Sequence, residues 1–385
     1  MICFSVSATT ANATVANAVA KHRALSATSG EEIQVDLVLC FFSQHARKEA
    51  PFLAKMLQQS FPQALVVTVL QASAEPRVSL LAAHLPSVLV HPVRILPNGL
   101  ITLPARPHSG SLFLFADPRS VNGDALARAL QLQAPKIGLF GGLVSGVTPD
   151  DGCTFSVGEH VLHEGAVGFH LEGNARVESI ESEGCKPLGG PMIVTKQVQN
   201  GIVELDGRPV QPVLRALLKK PAHDLAPLTL EHLFLRVETN PQSVRYLPSE
   251  TLIRPIQFDP KGDRLQVAHP LAPFCVVQFL VLDAAFAKEQ FEAKLDGLTP
   301  DQPGTAMRVV HQPSAIFVFS DVQRAAFDDA GIVRNEFADV AVVQGNLAGT
   351  FGQWQGAHTW QSSLVVAHAM LPLAPGQNHR TATFD

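Results

Sequence analysis

Charge is scarce in this 385-residue chain: Asp, Glu, Lys and Arg make up 16% of it, against 46% apolar residues. That balance excludes a solvated, disordered segment and calls for well-buried sheets and helices. A net charge of −5 and a pI near 6.3 provide no basic footprint for nucleic acid or anionic lipid. Trp354, Trp360 and Tyr246 are too few to build a platform on which bases stack. No apolar run reaches about 18 residues without a polar interruption, so no membrane span is expected. The five cysteines, Cys3, Cys40, Cys153, Cys185 and Cys275, are odd in number and lack CxxC spacing, which fits a reducing compartment. The start, "MICFSVSATTANATVANAVAKHRALS", has no basic segment ahead of an apolar core. Ala11, Val15, Ala18, Val19 and His22 mark one helix face there, and an organelle signal is the weaker alternative.

What is present changes period along the chain. "QVDLVLCFF", "ALVVTVL", "SVLVHPV", "SLFLFAD" and "KIGLF" read as buried strands, with helices over 48–60, bearing Phe52, Leu53, Met56 and Leu57, and over 122–132, capped by Asn122. Strands alternating with helices imply a largely parallel sheet. After residue 150 hairpin signals appear, around Glu164-Gly165 and Asn200-Gly201, followed by a helix over 208–218. The segment "KKPAHDLAPLT", 219–229, is polar and proline-bearing and marks a boundary. The second half repeats the style, with strands "HLFLRVE", "PFCVVQFLVL", "SAIFVFS", "DVAVVQG" and "SSLVVAHAM" and a helix over 284–295. The expected fold is α/β (mixed α+β): two consecutive α/β domains with mainly parallel or mixed sheets covered by helices. They span 1–220 and 226–373, before a tail at 374–385.

No motif names a reaction. "GLFGGLVSG", 138–146, lacks the spacing of a dinucleotide fingerprint, a P-loop or a nucleophile elbow. Its glycines still let backbone pass close to a neighbouring segment or a ligand. His160, His163, Glu164 and His170 tempt a metal reading. In an extended segment they do not converge without a bulge, so surface histidines and no metal are expected. In "EGCKPLGG", 183–190, Lys186 and the glycines would favour an accessible, thiolate-prone Cys185, yet no histidine partner is identifiable. The stretch reads as a turn and one wall of a ligand site.

Taken in order, "DLVLCFFSQHA", "VSLLAAHLP", "LFLFAD", "GLFGGLVSG", "EGAVGFHL" and "SEGCKPLGGPMIVTKQVQNGIVELDGRPV" resemble the N-terminal half of the FIST family. "QFLVLDAAFAKEQFEAKLDGL", "SAIFVFSDV" and "VAVVQGNLAGTFGQWQGAHTWQSSLVVAHAM" are similar to its C-terminal half in eroded form. Asp321, Val322 and Gln323 stand where the family has a Gly-Arg-Gly turn, and Ala348, Gly349 and Thr350 replace its Gly-Glu-Ile-Gly-Pro-like segment. A Leu-His-Gly-Thr-like element survives as Ala357, His358 and Thr359.

The resemblance implies a soluble, cytoplasmic sensory protein that binds a small molecule of the amino-acid class without catalysis or cofactor, and whose signalling output lies on a protein partner. Nucleic acid and membrane are not expected partners. The candidate ligand contacts are Gly141, Gly142, Ser145, Gly146, Gly184, Cys185, Lys186, Pro187, Thr195 and His358. The alternatives are a protein-recruiting module, as in F-box members of the family, and a cysteine-dependent enzyme using Cys185.

Overall fold

Apolar runs such as "LVLCFF" are uninterrupted because both faces of their strands are covered. In the computed structural model the described residues are 1–97, 101–102, 109–148, 152–218, 233–238, 251–258, 263–267, 271, 273–296, 313–324, 327–354, 357–361 and 365–372. In chain order, β1 (Ile2–Ala8) leads into α1 (Ala11–Ser29), and β2 (Leu37–Ser43) into α2 (Ala50–Ser60) and β3 (Leu65–Gln71). Then come β4 (Val78–His84), β5 (Val88–Ile95), β6 (Ile101–Thr102), β7 (Ser111–Ala116), α3 (Gly123–Gln133) and β8 (Gly138–Val144). They are followed by β9 (Phe155–Val157), β10 (His160–Leu162), β11 (Ala166–Gly173), β12 (Ala175–Ser182), β13 (Cys185–Pro187), β14 (Met192–Val198), β15 (Gly201–Leu205), β16 (Arg208–Pro209) and α4 (Val210–Leu218). The remainder holds β17 (Leu233–Glu238), β18 (Thr251–Phe258), β19 (Leu265–Val267), β20 (Val276–Leu282), α5 (Ala284–Asp296), β21 (Ala315–Asp321), α6 (Asp329–Glu336), β22 (Ala341–Trp354), β23 (Ala357–Gln361) and β24 (Val365–Pro372). The class is mixed α/β, and among the described residues no helix is long and apolar enough to cross a membrane.

Two compact units result, and they follow a different division from a split at 219–229, a segment that lies outside the described residues, as does 374–385. One unit is Met1–Glu181 with Ala293–Trp360 and Leu364–Asp385; the other is Ser182–Glu292 with Gln361–Ser363. Strand pairing is the cause: β22 joins β8 antiparallel and draws the C-terminal strands into the sheet of the N-terminal ones.

The first unit contains two sheets, ordered β1-β4-β2-β3-β9-β10 and β12-β24-β21-β22-β8-β7-β11-β5-β6, with β23 also on β22. The described pairings include three parallel ones, β2/β3, β7/β8 and β21/β22, each closed by a helical crossover. Of the expected parallel or mixed arrangements the mixed one is present, because the other connections return as antiparallel neighbours. Alternation along β7 shows how both faces are buried. Leu112 and Leu114 pack with Leu126 and Leu130 of α3, while Phe113 and Phe115 turn the other way into an aromatic core. There Phe41 of one sheet meets Phe115 and Phe319 of the other edge to face, at 5.4 and 6.0 Å between centroids. Gly345 makes room for that ring, since a Cβ would lie 2.6 Å from it. The caps are as the sequence predicts: Asn122 Oδ1 accepts from Ala125 N at 2.9 Å, at the start of α3. On α2, Leu53 and Leu57 are buried whereas Phe52 is 70% exposed, so the apolar face is narrower than expected.

The second unit is a closed barrel. Strands β14, β15, β19, β18, β17 and β20 pair in that order, all antiparallel, and β20 returns to β14. Met192, Val194, Ile202, Leu235, Val277 and Phe279 form one core with Val213, Leu214 and Leu217 of α4. Closure removes the sheet edges. Two hairpin expectations shift. Val198 pairs with Gly201, so the two-residue turn is Gln199-Asn200 with Gln199 at φ 55°. Around Glu164-Gly165 there is no hairpin, because β10 pairs with β9 and β11 with β5 and β7.

Candidate functional site

Where β2, β3 and β8 end, their buried polar side chains tie the two sheets of the first unit together. Ser145, directly after β8, is 4% exposed; its Oγ accepts from Ala72 N at 2.7 Å and donates to the Asn346 carbonyl. Asn346 in turn donates its backbone N–H to Gln71 Oε1 at 2.9 Å and its side-chain amide to Ala72 O at 3.1 Å. Gly146, at φ 73°, packs so closely on Gln71 and Ala72 that a Cβ would sit 3.0 Å from Ala72 N. From the turn after β2, half-buried Arg47 donates to the carbonyls of Gly146 and Gly152, both at 2.9 Å. Gln44 exchanges two hydrogen bonds with Ser73, at 2.7 and 3.0 Å. Beside this cluster Asp117 is buried and accepts from Arg119 N and Ser120 Oγ.

The arrangement is amide-rich, sets the Arg47 guanidinium near the buried Asp117 carboxylate, and has no poised nucleophile among the groups named. Cys153 is buried, and burial, reinforced by Asp117, pushes its thiol above the ordinary range.

Of the residues singled out in the sequence, Gly141 and Gly142 lie within β8, where they pass close to neighbouring strands. Gly141 takes φ 102° against Leu114 O, and Gly142 packs on Gly349 O, so both permit close strand approach. Ser145 and Gly146 belong to the strand-end cluster. Gly184, Cys185, Lys186, Pro187 and Thr195 belong to the second unit. Cys185–Pro187 runs as a short strand along β20, pinned by the ion pair of Glu183 with Arg236 and by Gln278 Nε2 donating to Gly189 O at 3.0 Å. Lys186 and Pro187 face solvent, while Cys185 is 1% exposed, which corrects its expected accessibility: strand pairing turns its side chain inward. Thr195 Oγ1 accepts from Gly207 N at 2.9 Å and holds a turn. The His358 backbone lies in β23, and its side chain is outside the described residues.

The histidines divide. His160 and His163 are exposed as expected, with His163 Nδ1 against Cys153 O at 2.9 Å. His170 is instead fully buried, its Nε2 donating to Ser109 O at 2.9 Å. Burial lowers its pKa, opposed by that hydrogen bond and by Glu172. Sequence reading passed over Arg47, Asn346 and Gln71, whose partners lie 99 to 275 positions away. It also passed over Arg324, which is buried in an ion pair with Asp329 at 2.7 Å.

Residues 36–208 match the family model described as the FIST N domain. The uncharacterized protein Rv0628c of Mycobacterium tuberculosis is 30% identical over 192 residues, 50% of either chain. The uncharacterized protein Mb0898c of Mycobacterium bovis is 26% identical over 278 residues, covering 68% of this chain and 71% of that one. The match to Rv0628c thus spans about half the length of that relative. Arg47, Gln71 and Ser145 of the strand-end cluster lie inside the segment that matches this family model.

Proposed function

We propose that the chain is a non-catalytic FIST-type sensor of a small anionic metabolite, of the amino-acid or organic-acid class, received at the strand-end cluster. The FIST family is one of sensory and signal-transduction domains. The observation that carries the reading is the node at Ser145 and Gly146, where loops from both sheets are fixed by polar side chains and Arg47 brings a guanidinium. A ligand there would report on both sheets at once, because Ser145 and Asn346 couple β3, β8 and β22. The output belongs to a protein partner, and the setting is cytoplasmic. Lys186, Pro187 and Thr195 form a separate candidate contact on the barrel.

The test is thermal shift against amino acids, organic acids and nucleotides, on the wild type, Arg47→Gln and Lys186→Ala. A rise of several degrees that vanishes in Arg47→Gln and survives in Lys186→Ala supports this site. The reverse pattern moves the ligand to the barrel loop, and silence from all three folded proteins counts against a sensor. A protein-recruiting role is the second reading, favoured by Phe274 and Ile193, exposed by 70% and 44% near the junction of β14 and β20.

A further inference from the structure

On the second sheet of the first unit, β5 and β11 run antiparallel with His91 directly opposite His170. Glu172 is two residues further along β11, hence on the same face as His170. The three side chains each bring one ligand atom within 4.8 Å of the other two. His91 Nε2 and Glu172 Oε2 are 3.7 Å apart, and the imidazoles of His91 and His170 stack at 6.0 Å.

The tautomer of His170 is set by its surroundings. A backbone carbonyl only accepts, so the 2.9 Å contact with Ser109 O puts the proton on Nε2 and the lone pair on Nδ1. That Nδ1 is buried and has no hydrogen-bond partner, in a residue with 0% exposure. An orphaned buried acceptor is costly, and proteins retain one where something else satisfies it. Gly110 makes the posture possible, since a Cβ there would stand 2.8 Å from His170 Nε2.

We propose that His91, His170 and Glu172 form a binding site for a divalent transition-metal ion, with zinc as the reference ion. The Ser109 carbonyl is the outer partner that fixes the His170 ring, as backbone carbonyls commonly do for ligating imidazoles. Two imidazoles and a carboxylate are a borderline-soft donor set that suits zinc and its first-row neighbours rather than calcium or magnesium. Metal bonds of about 2.0–2.2 Å in a tetrahedral site need ligand atoms roughly 3.3–3.6 Å apart. The His91–Glu172 separation is already close to that, and the ligand atoms of all three residues lie within 4.8 Å of one another. His91 and Glu172 are partly exposed, which supplies an entry path and leaves a fourth position for water or a ligand atom. None of the strand-end residues takes part, so this site stands independently of the sensory reading.

The experiment uses the reduced full chain, titrated with zinc chloride by calorimetry and with cobalt(II) chloride by visible absorption. The variants are His91→Ala and Glu172→Gln, both at partly exposed positions, with His163→Ala as control for adventitious histidine binding. One equivalent of zinc is expected in the wild type and the control, weakened at least about tenfold in each of the other two, with cobalt d–d bands lost in parallel. Unaltered affinity in His91→Ala and Glu172→Gln, or absence of any saturable site in the wild type, overturns the assignment. Circular dichroism and melting of the metal-free variants verify that a loss is not misfolding.

Discussion

Two histidines of the same unit show how, at equal burial, neighbours decide what an imidazole can do. His368 of β24 sits among Phe140, Phe319 and Phe113, with centroids at 4.8, 5.2 and 6.2 Å. Its Nδ1 meets Ser179 Oγ at 2.7 Å and its Nε2 has no partner. His170 is equally buried and also keeps one nitrogen unpartnered, but it faces a carboxylate and a second imidazole. In the aromatic region burial pulls the His368 pKa down to about 3. In the outer region the same orphaned lone pair has company that shares a cation. One surrounding refuses a proton; the other is arranged to accept a metal.

The largest effect should come from breaking the aromatic side. Phe113→Ala removes a ring packed on Phe169, Phe317 and Phe140, and a loss of about 3–5 kcal/mol in denaturant unfolding is expected. A smaller effect is pH dependence. The unfolded chain protonates His368 near the ordinary 6.5, whereas the folded chain does so only near 3, so stability from this group is complete above pH 6.5 and falls as pH drops toward 3. That is about 2 kcal/mol lost at pH 5. In urea unfolding at pH 7.5 and 5, His368→Leu should flatten the slope by up to one proton; an unchanged slope would mean that the imidazole is already protonated in the fold. Smaller again is Asn122→Ala, which uncaps α3 over the other face of the same sheet and should cost about 1 kcal/mol while leaving zinc affinity intact. The smallest is His91→Ala without metal, within about 0.5 kcal/mol of wild type by thermal melting. The same substitution should cancel any zinc-dependent rise in melting temperature, which separates a ligand from a packing residue.

Much of the secondary structure was legible because its signals are local. The run at 37–43, the Asn122 cap and the apolar stripe of Val210, Val213, Leu214 and Leu217 each depend on spacing within a few residues. The candidate sites were less legible. The glycines of "GLFGGLVSG" signal close backbone approach without naming the neighbour, and Gly141 and Gly142 serve the approach of β8 to β7 and β22. Cys185 seemed accessible among glycines, but pairing of Cys185 with Leu282 on β20 turns its side chain inward. His91 carried no signal in "SVLVHPV", since its partners are fixed by register with a strand some 80 residues later.

Composition and short-range periodicity thus established an α/β chain with buried strands and capped helices, because each of those rests on free energies that act between near neighbours. Partner choice between strands was settled by three-dimensional packing. The closed barrel, the return of β22 to β8, the Ser145–Asn346 tie and the pairing of His91 with His170 all join residues far apart in the chain. Their chemistry exists once the backbone register places them side by side, and a local pattern of residues holds no record of that register.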